Sequence, residues 1–154
     1  MAILTREAVR AYGSTKIAQF NEKRASEVLA EHKLATAKVK DYDVFLSHRY
    51  ADKMELVGFM KMLEDADLSV FVDWKERPEL DRTKVTKETA AALKQDMSRC
   101  KALLFVITST ANTSIWMPWE LGLFDGMKGR VATVPLATKP GEHPGQEYAG
   151  LYPW

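Results

Sequence analysis

The sequence predicts an α/β fold of the flavodoxin-like kind: three layers, with a parallel sheet between helices. Two observations carry this expectation. From Asp41 onward, short apolar runs that end in small polar residues alternate with longer stretches whose apolar residues recur at helical spacing. The resulting β-α-β-α-β-α-β order makes parallel strands joined by right-handed crossovers the natural solution. No internal repeat suggests a solenoid.

Taken in order, "DYDVFLSH" predicts a buried strand over Val44 to Ser47. Asp52 and Glu55 follow as D-x-x-E, the pattern of a capping box, and open a helix that turns Met54, Val57, Met60 and Leu63 toward a core and runs to about Asp67. "LSVFVDW" is a second strand, and "KERPELDRTK" a charged loop. "VTKETAAALKQDMSRC" places Val85, Thr89, Leu93 and Met97 on one helical face. "ALLFVIT" is the most apolar run and the expected central strand. "STANTS" is a turn, "SIWMPWELGLFDG" begins the next helix, and "VATVPLA" is a fourth strand. The sheet order is then 2-1-3-4. The Pro- and Gly-rich end is expected to be mostly loop, with room for a short fifth strand near Tyr148 to Leu151.

Residues 1–40 read as a helical extension, and residues 41–154 as the main domain. In the extension Ile17, Phe20, Val28 and Leu29 sit near helical spacing, and Gly13 and Ser14 mark an expected break between two helices. The extension holds eight Lys/Arg against four Asp/Glu, a net of about +4, and the rest a net of about −3. Packing against the main domain or a neighbouring subunit is expected of it. A membrane-surface helix is the weaker alternative, because glutamates dilute its basic face.

Composition excludes several classes. With 46% hydrophobic and 28% charged residues the chain reads as a globular protein, and no apolar run approaches the roughly 20 residues that cross a bilayer. The acidic main domain argues against nucleic acid as a partner. A lone cysteine, Cys100, suits the cytoplasm and is expected to be buried at the start of the third strand. His32, His48 and His143 lack metal-ligand spacing, so no metal is expected. G-x-G-x-x-G, the Walker A lysine motif and G-x-S-x-G are all absent.

Open parallel sheets bind ligands beyond the carboxyl ends of their strands, where strand order reverses. Here that point lies between the first strand, ending at Ser47-His48-Arg49-Tyr50, and the third, ending at Thr108 and leading to Trp116 and Glu120. Asp73 and Trp74 end the second strand next door. With Ser114 as N-cap, Trp116 and Glu120 lie one turn apart on one face. With Pro118 at the first helical position, Glu120 falls at the third. A shallow, water-lined cleft would keep Glu120 an anion. Such a carboxylate beside a flat aromatic ring could stabilise an oxocarbenium-like cation while nicotinamide leaves the ribose of NAD+; the other reading is a helix cap for Glu120 and core packing for Trp116 and Trp119.

"YDVFLSHRYADK", "LSVFVDW" and "SIWMPWELGLFDG" together resemble a TIR domain (Toll/interleukin-1 receptor type) of the bacterial kind, from about Asp41 to about Ala137. The W-x-x-x-E of Trp116 and Glu120 is the most telling element. The resemblance implies a flavodoxin-like fold and, for many bacterial and plant members, NAD+ cleavage by this glutamate, with NAD+ as substrate and no separate cofactor. It implies dinucleotide contacts from Ser47, His48 and Arg49. Asp73 and Trp74 would stand at the entrance to a loop that docks on a neighbouring subunit in a homo-oligomer. That loop lacks the family's usual central glycine. The chain also stops at Trp154, where the family usually continues through a fifth strand and a last helix, so a minimal fold or a fragment is expected. The pattern is similar to synthase subunits of anti-phage systems such as Thoeris, which make a cyclised or conjugated ADP-ribose signal that a separate effector protein reads. Trp116 would shape the pocket and Arg49 contact the pyrophosphate, with a solvated loop charge as the alternative for Arg49. Trp74 would equally serve by packing on the second helix, and His48 would orient the loop rather than act as a base. The rival class is a non-catalytic TIR interaction module. A phosphoacceptor receiver shares the fold but needs an Asp ending the third strand, where Ile107-Thr108 stand.

Overall fold

A computed structural model describes residues 3–72, 86–109, 116–142, 144 and 149–154. Its sheet has four strands in the order β2-β1-β3-β4: β1 is Tyr42–Ser47, β2 Val70–Phe71, β3 Cys100–Ile107 and β4 Val131–Pro135. All three pairings are parallel, with Val44 beside Val70, Ser47 beside Phe105 and Ile107 beside Pro135. Helices α1 (Arg6–Lys16), α2 (Glu22–Thr36), α3 (Lys53–Asp65), α4 (Lys87–Ser98) and α5 (Trp116–Lys128) complete the elements among the described residues, with 3-10 turns at Tyr50–Asp52 and Ala149–Leu151. The three-layer α/β architecture and the strand order are those the sequence predicts.

Strand alternation builds two cores. Leu46, Val70 and Val106 pack with Leu29, Leu56 and Met60 on the side of α1, α2 and α3. Phe45, Leu103, Phe105 and Ile107 pack with Leu93, Met97, Leu121 and Phe124 on the side of α4 and α5. Each core removes a helix stripe and a sheet face from water together, which is the main stabilising term for such layers. Cys100 is fully buried at the start of β3, as expected.

Three local expectations change. Gly13 does not break the first helix but lies buried inside α1, where the Phe20 ring folds back against it; a Cβ there would sit 2.5 Å from that ring. The break comes later, between Lys16 and Glu22, with Gln19 at positive φ and Asn21 capping α2 by accepting from Arg24 N at 2.9 Å. The Asp52/Glu55 capping box is not formed: Asp52 makes no cap hydrogen bond, and both carboxylates turn instead toward α1. The C-terminal segment is a 3-10 turn over Ala149–Leu151, not a strand, and Pro153 O then accepts from Thr133 N on β4 at 2.8 Å. Tyr148 lies outside the described residues.

The extension packs on α3. Val9 and Gly58 mark the crossing, so close that a Cβ on Gly58 would stand 2.1 Å from the Val9 carbonyl oxygen. Buried between this helix and the sheet, α3 hides Glu55 to Met60 without interruption, wider than the stripe its periodicity suggested. The segment before α1 also joins the sheet's rim: Thr5 bridges Ala137 in parallel, Ala137 N donates to Leu4 O at 2.9 Å and Arg6 N to Ala137 O at 2.9 Å.

Two outcomes follow. Gly58→Ala must push α1 off α3, at about 1–3 kcal/mol, or a melting temperature lower by about 2–4 °C per kcal/mol for a chain of this size; a thermal melt monitored by circular dichroism reads it. Burial pushes the Cys100 thiol up to about 12, so it stays protonated, and unreactive, near neutral pH. Alkylation at pH 8 should therefore spare the native protein and modify it fully in urea, as intact mass will show.

Candidate active site

Ser47 ends β1 and Glu120 stands in α5; the Ser47 hydroxyl donates to Glu120 Oε2 at 2.6 Å, across 73 residues of sequence. The pair sits where the topology turns, since the chain leaves β1 for β2 on one side and returns to β3 on the other. Both residues are buried, Glu120 at 3% exposure. This departs from the shallow, wet cleft expected for it. The carboxylate lies beneath the surface because α5 packs its Trp116–Glu120 face on the β3 core. Helix α5 spans Trp116–Lys128 among the described residues and carries Pro118 close to its start, while Ser114, the cap residue of one expected register, lies outside them.

Trp116 lies one turn before Glu120, 4% exposed and within the β3 core cluster. Its ring meets that of Trp119 edge to face, with centroids 5.4 Å apart and planes at 80°. Its indole N–H finds no acceptor. Buried donors are rarely left so. Trp119 is the more open of the two, at 38% exposure.

His48 and Arg49 follow Ser47. His48 is buried, and its Nδ1 lies 3.0 Å from Leu46 O, which ties the ring back to β1. Arg49 is half-buried, and its carbonyl accepts from Asp52 N at 3.1 Å to start the 3-10 turn. The structure thus brings Ser47, His48, Arg49, Trp116 and Glu120 to one end of the sheet. Asp73 and Trp74 lie outside the described residues, as does the charged loop after them.

One set of residues at this edge was not anticipated. Arg6 Nε donates to Glu55 Oε1 at 2.7 Å, and its Nη2 to Asp52 Oδ1 at 2.9 Å. Arg10 reaches the same Glu55 oxygen at 2.8 Å. Thr108, just past β3, donates to Asp52 Oδ2 at 2.8 Å. Burial works against the Arg6 charge, but its bonds to Glu55 and Asp52 and their field outweigh that and raise its pKa. The signal available in the sequence was the charge asymmetry between the basic extension and the acidic remainder. Two hollows of about 540 and 320 Å³ lie elsewhere, and the Ser47–Glu120 pair lines neither.

A doubly wound sheet with one buried carboxylate at its switch point, on a W-x-x-x-E helix, defines the TIR class. The comparisons agree. The chain is 44% identical over 138 residues, 88% of its own length and 72% of the relative's, to a protein described as "Probable 3' cyclic ADP-D-ribose synthase ThsB'" from Bacillus cereus (strain MSX-D12). It is 32% identical over 83 residues, 53% of this chain and 22% of the relative, to "Putative cyclic ADP-D-ribose synthase TIR2" from Cytobacillus dafuensis. No family profile matches. The chain belongs to the bacterial TIR family, among the Thoeris-type proteins that ThsB' represents. The matched residues outnumber those after Lys40, so the likeness reaches into the helical extension.

Ser47→Ala removes a donor from a buried carboxyl group. The loss should be about 1–3 kcal/mol, read as a lower urea midpoint with an unchanged slope.

Proposed function

We propose that this chain cleaves NAD+ between nicotinamide and ribose and closes the ADP-ribose moiety into a cyclic product that signals in anti-phage defence. The observation that carries the reading is the Ser47–Glu120 pair, buried at the switch point of a chain similar to a probable cyclic ADP-ribose synthase. The bond from ribose C1′ to the pyridinium nitrogen breaks, and its electron pair leaves with nicotinamide, which departs neutral. The cation left at C1′ is stabilised by the Glu120 carboxylate, which Ser47 holds in place. A nucleophilic atom of the same molecule then bonds to C1′, and its proton passes to the Glu120 carboxylate. Burial favours this ring closure over attack by water, because few waters reach a carboxylate so covered.

The neighbouring residues take consistent parts. The unpartnered Trp116 indole N–H is available to a substrate oxygen. Arg49 contacts the pyrophosphate, for which a guanidinium fork is well shaped. His48 holds the loop after β1, and Asp73 and Trp74, which lie outside the described residues, are proposed as further substrate contacts. A homo-oligomer built through TIR–TIR contacts, a separate effector that senses the product, and action in the cytoplasm complete the proposal. No helix among the described residues is long and apolar enough to cross a membrane.

The test is turnover of NAD+ by purified protein, followed by mass spectrometry, beside Glu120→Gln. Wild type should release nicotinamide with a product of cyclic ADP-ribose mass, and the variant should lose about 10²–10³-fold or more. A product heavier by one water would make the enzyme a glycohydrolase. Equal release by both proteins would remove Glu120 from the chemistry, and no release by either, even with lysate of phage-infected cells, would favour the interaction module.

A further inference from the structure

We infer that Arg6, in the helical extension, is a positioning residue for the Glu120 site, acting through Asp52 and Thr108. This rests on the reading of that site as NAD+-cleaving. The argument is one of connectivity. Asp52 closes the segment 48–52 that leaves β1 directly after Ser47, and carries His48 and Arg49. One Asp52 oxygen accepts from Arg6 and the other from Thr108, at the carboxyl end of β3. The Arg6 backbone meanwhile donates to Ala137 O, just past β4. A single residue of α1 therefore ties together the chain leaving β1, the end of β3 through Asp52, and the end of β4. Those are three of the four strand ends around the switch point.

The tie is well placed to act on geometry. Asp52 is 4% exposed, Glu55 1% and Thr108 3%, so no water stands ready to replace a lost partner. Arg6 serves both carboxylates with separate nitrogens, which a planar fork permits and a single ammonium does not. Arg10 reaches only Glu55, so it backs the pair without holding the loop. Loosening segment 48–52 leaves Ser47 on its strand but frees the residues between it and Asp52. Misplacement of about 1 Å in such a constellation costs on the order of 10²-fold in rate.

The experiment compares wild type with Arg6→Lys, Thr108→Val and the double variant. Arg24→Ala is the control, since that arginine pairs with Glu27 and Glu31 on the exposed side of α2. Arg6→Lys keeps the charge and Thr108→Val the shape, so both should fold. In each, kcat for NAD+ should fall about tenfold or more with KM within about threefold, and the double variant should lose less than the product of the two. Hydrogen exchange should quicken over residues 48–52 and 107–109 while the core of α4 keeps its protection. The control should match wild type in both readouts. Wild-type kcat and exchange in folded Arg6→Lys would overturn the inference. So would a kcat loss matched by uniformly faster exchange throughout, which is what a merely stabilising residue gives. If wild type turns over no NAD+, the functional reading fails by itself, and the exchange pattern still decides whether Arg6 holds the loop.

Discussion

Two buried carboxylates set the terms for much of this molecule. Asp52 and Glu55 stand at the start of α3, beneath α1, and a buried carboxylate without a partner is costly enough to unfold a small domain. Arg6 and Arg10 supply the compensating charge from the extension. The close crossing at Gly58, the bridge of Thr5 to Ala137 and the burial of α3 on both sides all accompany that one requirement. The uneven charge of the two parts is therefore in part internal. Part of the basic surplus of the first 40 residues answers the acidic surplus of the rest, through Arg6, Arg10 and Lys16.

The edge that carries the candidate site inherits this arrangement. Ser47 reaches Glu120 only because β1 lies beside β3 in register, Ser47 opposite Phe105, with α5 laid across the same core. Binding energy is better used at such a site when the reacting groups are already held, because no reorganisation then accompanies the reaction. Trp116, with its buried unpartnered N–H, keeps one polar group unsatisfied within an otherwise packed core, a local cost of the kind found where a ligand binds.

The sequence made the sheet order legible because parallel strands buried on both faces are near-continuous apolar runs, and "YDVFLS", "CKALLFVI" and "VATVP" each read that way. Glu120 was legible from topology and from the W-x-x-x-E spacing together. Its depth was not, since depth depends on how α5 seats on β3, a contact between segments with no local signature. The network around Asp52 was misread for a similar reason. D-x-x-E at a helix start is also what a capping box looks like, and the true partners lie 45 to 56 residues away. Gly13 was misread as a breaker because a glycine wanted for close ring packing and one wanted for a turn are the same letter.

The outer rim of β4 has a consequence for how the protein behaves in a crowd. An edge strand offers a row of N–H groups on which another chain can crystallise as a new strand. Here the alternate residues that face outward are Val131, Thr133, Pro135 and Ala137. Thr133 N is taken by Pro153 O and Ala137 N by Leu4 O, and proline has no N–H to give. The opposite edge, β2, spans two residues. Among the described residues the sheet thus ends in blunted borders on both sides. The folded protein is in this way poorly suited to seed amyloid-like growth.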